Sequence, residues 1–245
     1  MSYFDTLYKP CLLDRLSVSI GAAPEFIILV NTELAGSASD TIQLPIGGIN
    51  MTIDWGDGFI QEGVTQSSIF PNSANWVTHQ YATGGIYQIK ITGIQIIRFN
   101  ITGDRLKLLE IQNWGTGEWT HMSRGFSGCS NMTGTYTDVP DVSNVTAMDE
   151  MFLFASNFNS DISQWDVSNV TAMNNMFQNA TQFNQDISNW DVSNVTNMNT
   201  MFRNASSFNQ DLSGWCVSLI PTEPTGFDTS ATAWVLPRPI WGTCP

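Results

Sequence analysis

The sequence predicts a mixed β and α/β protein, in which a small β-sandwich precedes a short solenoid with 25-residue coils. Residues 141–215 repeat one 25-residue unit three times without an insertion or a deletion, and a fixed period of about 20 to 50 residues is typical of solenoids. Residues 26–93 contain short apolar runs between turn signals and show no helical period. That second pattern is typical of a β-sandwich.

The charge balance limits the partners of this protein. Its 245 residues include 22 acidic and 9 basic side chains, which gives a formal net charge of -13. Such a charge repels nucleic acid and anionic membrane surfaces, so we exclude both as partners. No apolar run approaches the roughly 20 residues of a membrane span. The N-terminus lacks a basic start followed by an apolar run, so we expect no secretory signal.

The N-terminal segment, residues 1–25, shows no clean periodicity. Its apolar residues, among them Tyr3, Phe4 and Leu7, lie outside any predicted domain. We therefore predict an arm that anchors the protein on a larger assembly, with a disordered tail as the alternative.

The predicted β-sandwich occupies residues 26–98. It opens with the apolar run FIILV, and Met51, Ile53 and Trp55 later alternate as they would in a half-buried strand. The Gly-Asp-Gly sequence that follows at 56–58 supplies the positive φ angles that tight turns need.

Three motifs in this part of the chain are IDWGDG at 53–58, HQY at 79–81 and GGIYQIKITG at 84–93. Together they resemble the PKD (polycystic kidney disease) type of immunoglobulin-like domain. The resemblance implies a PKD-like spacer or adhesion module, in which the acidic turn and the His-x-Tyr sequence are mainly structural. Ca²⁺ at Asp54 and Asp57 is the alternative, although two carboxylates fall short of the six or more oxygens that Ca²⁺ takes.

The repeats define a solenoid over residues 99–215, with an irregular first coil. In each unit we expect a short strand, such as 186–188, and a short helix, such as 195–204, because Val195 and Met198 begin an apolar helical face. The apolar positions that recur in every unit form the predicted core. They are Met148, Phe152, Phe158, Trp165, Met173, Phe177, Phe183, Trp190, Met198, Phe202, Phe208 and Trp215. A sugar-binding platform is the alternative role for the three tryptophans.

The repeated unit, close to WDVSNVTNMxxMFxxAxxFNQDIS, resembles the DUF285 or BspA-like leucine-rich repeat family over about residues 105–245. The resemblance implies a leucine-rich-repeat-type solenoid. It also implies a surface protein, since the family occurs in bacterial surface proteins and in proteins encoded by marine bacteriophages. Many of the phage proteins resemble this whole layout, including the WGDG turn and the WGTCP ending.

The C-terminal residues 216–245 are predicted to form a cap locked by a disulfide bond. Cys244 lies 28 residues after Cys216, three beyond the position stacked on it, and adjacent coils are about 4.8 Å apart. Four cysteines allow three pairings, of which stacking favours this one, leaving Cys11 and Cys129 as free thiols. A disulfide indicates an oxidising final environment.

Two files of aspartates are the strongest catalytic candidates in the sequence: Asp141, Asp166 and Asp191, and Asp161, Asp186 and Asp211. A spacing near 5 Å would resemble the carboxylate pair of a retaining glycosidase. We prefer a structural role at turns, because a catalytic pair should occur once rather than in every repeat. We therefore predict no catalytic residue, no cofactor and no metal site, with divalent cations between stacked carboxylates as the alternative.

The layout and the resemblances together predict a non-enzymatic virion structural protein of a bacteriophage, a capsid decoration or a fibre. The arm would bind other virion proteins, and the repeats would attach to a host-surface glycan or protein. The alternatives are a secreted bacterial adhesin of the BspA-like type at the cell surface and, last, a carbohydrate-active enzyme. Asp149, Asn174 and Asn199 are the candidate surface-binding residues. Self-association into a homo-oligomer is left open.

Overall fold

The computed structural model describes residues 25–66 and 75–245. In these ranges the strands are β1 (Phe26–Asn31), β2 (Thr41–Leu44), β3 (Ile46–Asp54), β4 (Ile60–Gln66), β5 (Val77–Gln80), β6 (Ile86–Ile97), β7 (Leu108–Asn113) and β8 (Thr133–Gly134). No helix forms in the described ranges, and hence none that could cross a membrane. The predicted arm lies outside them, apart from its last residue.

A six-stranded sheet in the order β4-β3-β6-β1-β7-β8 forms the first half of the fold, beside a two-stranded sheet of β2 and β5. Strand β1 is central and pairs antiparallel with both β6 and β7. Its residues alternate between buried and half-buried, which places Phe26, Ile28 and Val30 in the core. Ile42 and Leu44 of β2 belong to the same core. The β-rich character predicted for this part is confirmed.

The same sheet leads directly into the repeats. Strand β7 lies antiparallel to β1, but β8 lies parallel to β7, with Glu110 opposite Thr133. We number only the three regular 25-residue coils and call the segment before them the irregular coil. The first coil spans 141–165, the second 166–190 and the third 191–215. Isolated parallel bridges join Ala147 to Ala172 and Ala172 to Asn197. The repeats therefore stack on one another, and the stack continues from the sheet.

The helix predicted for residues 195–204 is wrong. A helix requires amides that bond four residues back, whereas here the N–H of Phe202 donates to the carbonyl of Phe227, 2.8 Å away in the cap. Between such bonds the chain makes tight turns, in which the N–H of Met201 donates to Met198. Thr200 and Asn204 have positive φ angles of 54° and 59°. Bonding between coils therefore replaces bonding along a helix, and the described fold is all β and turns.

The short strand expected at residues 186–188 also does not form. Asp186 instead begins a turn, in which its Oδ1 accepts the N–H of Ser188 at 3.0 Å. The N–H of Ser188 is thus paired with the side chain of Asp186 and not with a neighbouring strand.

The interior of the stack is built from columns of identical side chains, and all twelve predicted core residues are buried. The rings of Phe152 and Phe177 stack with centroids 5.7 Å apart, and those of Phe177 and Phe202 with centroids 5.6 Å apart. Each such pair contributes about 0.5–1.5 kcal/mol beyond the area it buries. Trp165 and Trp190 are each only 4% exposed, so the tryptophans pack inside and do not offer a sugar-binding platform.

The cap closes the far end of the stack. Trp234 covers the last phenylalanine column, with its ring 4.7 Å from that of Phe208. The guanidinium of Arg238 lies 4.5 Å over the Trp234 ring. Cys216 and Cys244 form the predicted disulfide. Cys129 is a free, buried thiol, whereas Cys11 lies outside the described residues.

Candidate interaction surface of the repeat stack

The aspartates of both files accept hydrogen bonds within turns. Oδ1 of Asp141 accepts the Oγ–H of Ser143 at 2.7 Å and its N–H at 3.1 Å, and Asp191 accepts the N–H of Ser193 at 3.0 Å. These bonds, chiefly from the serine hydroxyl, lower the pKa of both carboxyls. A retaining glycosidase instead needs one carboxyl with a raised pKa to donate a proton. The geometry thus suits ionised turn acceptors.

The two carboxylates considered for Ca²⁺ also have protein partners. Asp54 accepts the N–H of Gly56, and Asp57 accepts the N–H of Phe59, both at 3.0 Å. The other oxygen of Asp57 lies 2.8 Å from Nε2 of His79, and this partner helps to lower the pKa of Asp57 against the opposing effect of burial. Within the described ranges, no group of three or more His, Cys, Asp or Glu side chains is placed to hold a metal ion.

A buried ionic cluster, which sequence analysis missed, joins the segment between β1 and β2 to the turn before β7. Lys107 and Asp104 are both fully buried, with Nζ 3.9 Å from Oδ1. Nζ donates to three carbonyl oxygens of the segment after β1: Ser37 at 3.1 Å, Ala38 at 2.8 Å and Thr41 at 2.8 Å. The available signal was an i,i+3 Asp–Lys pair in a chain with only 13% charged residues.

The same cluster places a serine beside a lysine, an arrangement that some hydrolases use. Oγ of Ser37 accepts a hydrogen bond from Nζ of Lys107 at 3.0 Å and donates one to Asp104 at 2.7 Å. Burial lowers the pKa of Lys107, and Asp104 and Asp40 oppose that shift. Three carbonyl acceptors nevertheless stabilise the ammonium form, which cannot take a proton from serine. The cluster therefore serves as a clamp between two parts of the fold.

The three candidate surface residues lie one above another, and each side chain is bonded to a neighbouring coil. Asp149 accepts the hydroxyl of Ser123 at 2.5 Å, and Asn174 accepts the side-chain amide of Asn197 at 3.2 Å. Asn199 accepts the N–H of Thr225 at 3.0 Å. Of the three only Asn199 is exposed; Asp149 and Asn174 are half-buried.

Asn199 lines a groove beside the stack. This groove, about 420 Å³ in volume, lies between the third coil and the cap and is bordered by residues 196–199 and 219–225. Leu219 is 52% exposed there, and Glu223 is the charged residue of the lining. Such a volume is within the range of about 300–1,000 Å³ that ligand pockets occupy.

A smaller cavity, of about 80 Å³, lies at the opposite end of the stack, beside the first coil. Tyr136 and Trp165 line it, and neither the hydroxyl of Tyr136 nor the indole N–H of Trp165 has a hydrogen-bond partner among the described residues. In the later coils the indole is bonded: Nε1 of Trp190 donates to the carbonyl of Ile162 at 3.1 Å. The residues that precede the first coil do not follow the repeat.

Comparison with known proteins gives a family match for the repeats. The model of a family described as Mycoplasma protein of unknown function, DUF285, matches residues 120–233. Neither curated proteins nor solved structures give a match to this chain. The matched segment runs from the irregular coil, through all three regular coils, into the cap. The match supports assignment of the repeat stack to the DUF285 family, which the repeated unit resembles.

Proposed function

We propose that this chain is a non-enzymatic structural protein on the surface of a bacteriophage virion, as a capsid decoration or a fibre. In this proposal the repeat stack is a rigid display element that attaches the particle to a host-surface glycan or protein. The observation that carries the proposal is the uniform, internally bonded stack with its disulfide-locked cap. Such a unit suits presentation of a surface better than conversion of a substrate.

The outward-facing amides of the stack support an attachment role. The N–H of Asn184 donates to Oδ1 of Asn159, and the N–H of Asn209 donates to Oδ1 of Asn184, both at 2.8 Å. This file continues into the cap, where the N–H of Val235 donates to Asn209 at 2.8 Å. A regular, uncharged array of amides and hydroxyls can hydrogen-bond to neutral saccharides without the desolvation cost of charged groups.

The remaining parts of the proposal concern assembly. The Cys216–Cys244 disulfide favours an oxidising location outside a cell. The strand-rich first half, with its WGDG turn, would act as a PKD-like spacer, and the segment before Phe26 would bind other virion proteins. A secreted bacterial adhesin of the BspA-like type is the second candidate, because the same disulfide and DUF285 match fit it equally well.

Mass spectrometry of density-purified particles, with the cleared culture medium as the control, distinguishes the two candidates. We expect tryptic peptides from the repeats to be enriched in the particles, at a constant ratio to the major capsid protein. Their presence in the medium alone would contradict the virion proposal and favour the adhesin. Hydrolysis assays on soluble glycans, with Asp166→Asn and Asp191→Asn as comparisons, test the non-enzymatic part. Turnover that either substitution abolishes would refute it.

A further inference from the structure

The ladder of backbone hydrogen bonds between coils is interrupted where the third coil faces residues 221–222, and it resumes where the N–H of Thr200 donates to the carbonyl of Thr225 at 3.0 Å. In the regular coils a threonine N–H donates to the threonine carbonyl of the previous coil: Thr171 to Thr146 at 2.8 Å, and Thr196 to Thr171 at 2.9 Å. The next residue in register is Pro221, 25 positions after Thr196. Proline has no N–H to donate. The carbonyl of Thr196 therefore receives no hydrogen bond from the described residues.

A neighbouring backbone donor is also free. The N–H of Met148 donates to Ala172, and that of Met173 donates to Asn197, both at 2.9 Å. The corresponding N–H of Met198 has no acceptor among the residues described. Parallel bridges likewise end at Asn197. At this edge of the third coil, the carbonyl of Thr196 and the N–H of Met198, two residues apart, have no partner among the described residues.

This open edge borders the 420 Å³ groove, whose far wall is the diverted chain at residues 219–225. A strand edge with unpaired N–H and C=O groups is a template for pairing with another chain. In β-augmentation an extended peptide supplies the missing backbone groups, and its side chains occupy adjacent pockets. The groups free at Thr196 and Met198 are those that the ladder uses in the first and second coils.

We propose that an extended peptide segment of a partner protein docks in this groove, parallel to residues 196–198. One of its N–H groups donates to the carbonyl of Thr196, and one of its carbonyls accepts the N–H of Met198, in place of a fourth coil. Glu223 and the net charge of -13 favour a neutral or basic segment. Leu219, at 52% exposure, offers an apolar contact. The inference does not depend on where the protein is displayed.

The test begins with a yeast-displayed library of random short peptides, selected on the intact protein. Selected peptides are then titrated by fluorescence anisotropy. Thr222→Trp places a large side chain on the groove lining and should weaken binding by about tenfold or more, a change of about 1.4 kcal/mol. Thr232→Trp is the matched control, because Thr232 is exposed but does not line the groove, and binding to it should equal binding to the parent protein.

Two further variants keep the proposal testable if the cap of Thr222→Trp is disturbed. Pro221→Thr restores the residue type of Thr171 and Thr196 and gives the cap an N–H for the ladder, so peptide binding should fall. Pro237→Thr, at an exposed site outside the groove, is its control. Methylation of single peptide amides should abolish binding at one position, because strand pairing uses a backbone N–H.

The proposal is overturned if no peptide binds the parent protein more tightly than it binds the Thr222→Trp protein. It is also overturned if N-methylation is tolerated at every position. A glycan array provides the third decisive result. A saccharide whose binding is lost in Thr222→Trp, and for which no selected peptide competes, would assign the groove to glycans instead.

Discussion

Two tryptophans that occupy the same place in successive coils should respond differently to replacement by phenylalanine. Trp165 and Trp190 are both 4% exposed. Nε1 of Trp190 donates to the carbonyl of Ile162 at 3.1 Å, whereas Nε1 of Trp165 has no partner among the described residues. Trp165→Phe and Trp190→Phe remove the same atoms from side chains of equal exposure. The loss of packing should therefore largely cancel when the two free energies of unfolding are compared.

The size of the difference follows from the hydrogen-bond geometry. Trp190→Phe loses a bond with a net value of about 0.5–1.5 kcal/mol. The carbonyl of Ile162 stays paired, because it also accepts the N–H of Trp165 at 3.2 Å. Trp165→Phe instead removes a buried, unpaired N–H, whose desolvation costs about 1–3 kcal/mol. We therefore expect Trp190→Phe to be the more destabilising substitution, by roughly 2 kcal/mol or more.

The comparison is made by urea unfolding at pH 7, followed by circular dichroism, with the slope of the transition checked for constancy. Trp215→Phe serves as a second bonded case, because Nε1 of Trp215 donates to Ile187 at 3.0 Å, and it should behave like Trp190→Phe. Equal destabilisation by Trp165→Phe and Trp190→Phe would refute the reasoning. It would mean that a water molecule in the 80 Å³ cavity satisfies the indole of Trp165.

Three further predictions concern the clamp, the cap and the aspartate turns. Lys107→Met should lower the free energy of unfolding by about 3–5 kcal/mol, because it leaves the carboxylate of Asp104 buried without its cation; urea unfolding measures this. Cys216→Ser should cost about 3.6 kcal/mol in the loop-entropy treatment, since the disulfide spans 28 positions; thermal melting with and without reductant measures it. The pKa of Asp191 is lower in the folded protein than its ordinary value. The stability that the ionised Asp191 contributes is therefore fully present when the pH is above that ordinary value, and it is lost as the pH falls through the pKa of the folded state. Stability should therefore be level from pH 7 to 5 and decline below about pH 4, less steeply in Asp191→Asn.

Each of these predictions has a control and an opposing result. Lys90 of β6 is half-buried, and Lys90→Met should change stability by less than about 0.5 kcal/mol; similar losses for both lysines would contradict the clamp. An unchanged melting temperature after reduction would show that the disulfide does not stabilise the cap. A stability profile that peaks below pH 4 would mean that the turn carboxylates are protonated in the folded state.

The repeat stack was the part of the fold most accessible from sequence. The 25-residue period fixed which residues share a column, and the burial of Phe177 and Trp190 follows from it. The helix at 195–204 was predicted wrongly because Val195 and Met198 fit a helical face and a series of tight turns equally well. Spacing along one coil does not reveal that amides such as that of Phe202 bond to the next coil.

The candidate sites were less predictable than the stack. Asn199 was selected from its position in the repeat, but the groove beside it exists only because residues 219–225 leave the stack. Lys107 and Asp104 gave a faint local signal, whereas their partners, Ser37 and Thr41, lie more than 60 residues earlier in the chain. Contacts over such a separation depend on how the segment between β1 and β2 meets the turn before β7, and no local pattern encodes that.

The sequence by itself determined the period of the stack, its apolar columns, the β-rich first half and the Cys216–Cys244 pairing, because each depends on spacing along the chain. The tertiary structure alone decided where the backbone hydrogen bonds go. It turned the expected helices into turns bonded between coils. It also left the carbonyl of Thr196 and the N–H of Met198 without partners in the part of the chain that the structure describes. Backbone groups are the same in every residue, so only the arrangement of neighbouring coils determines which of them are paired.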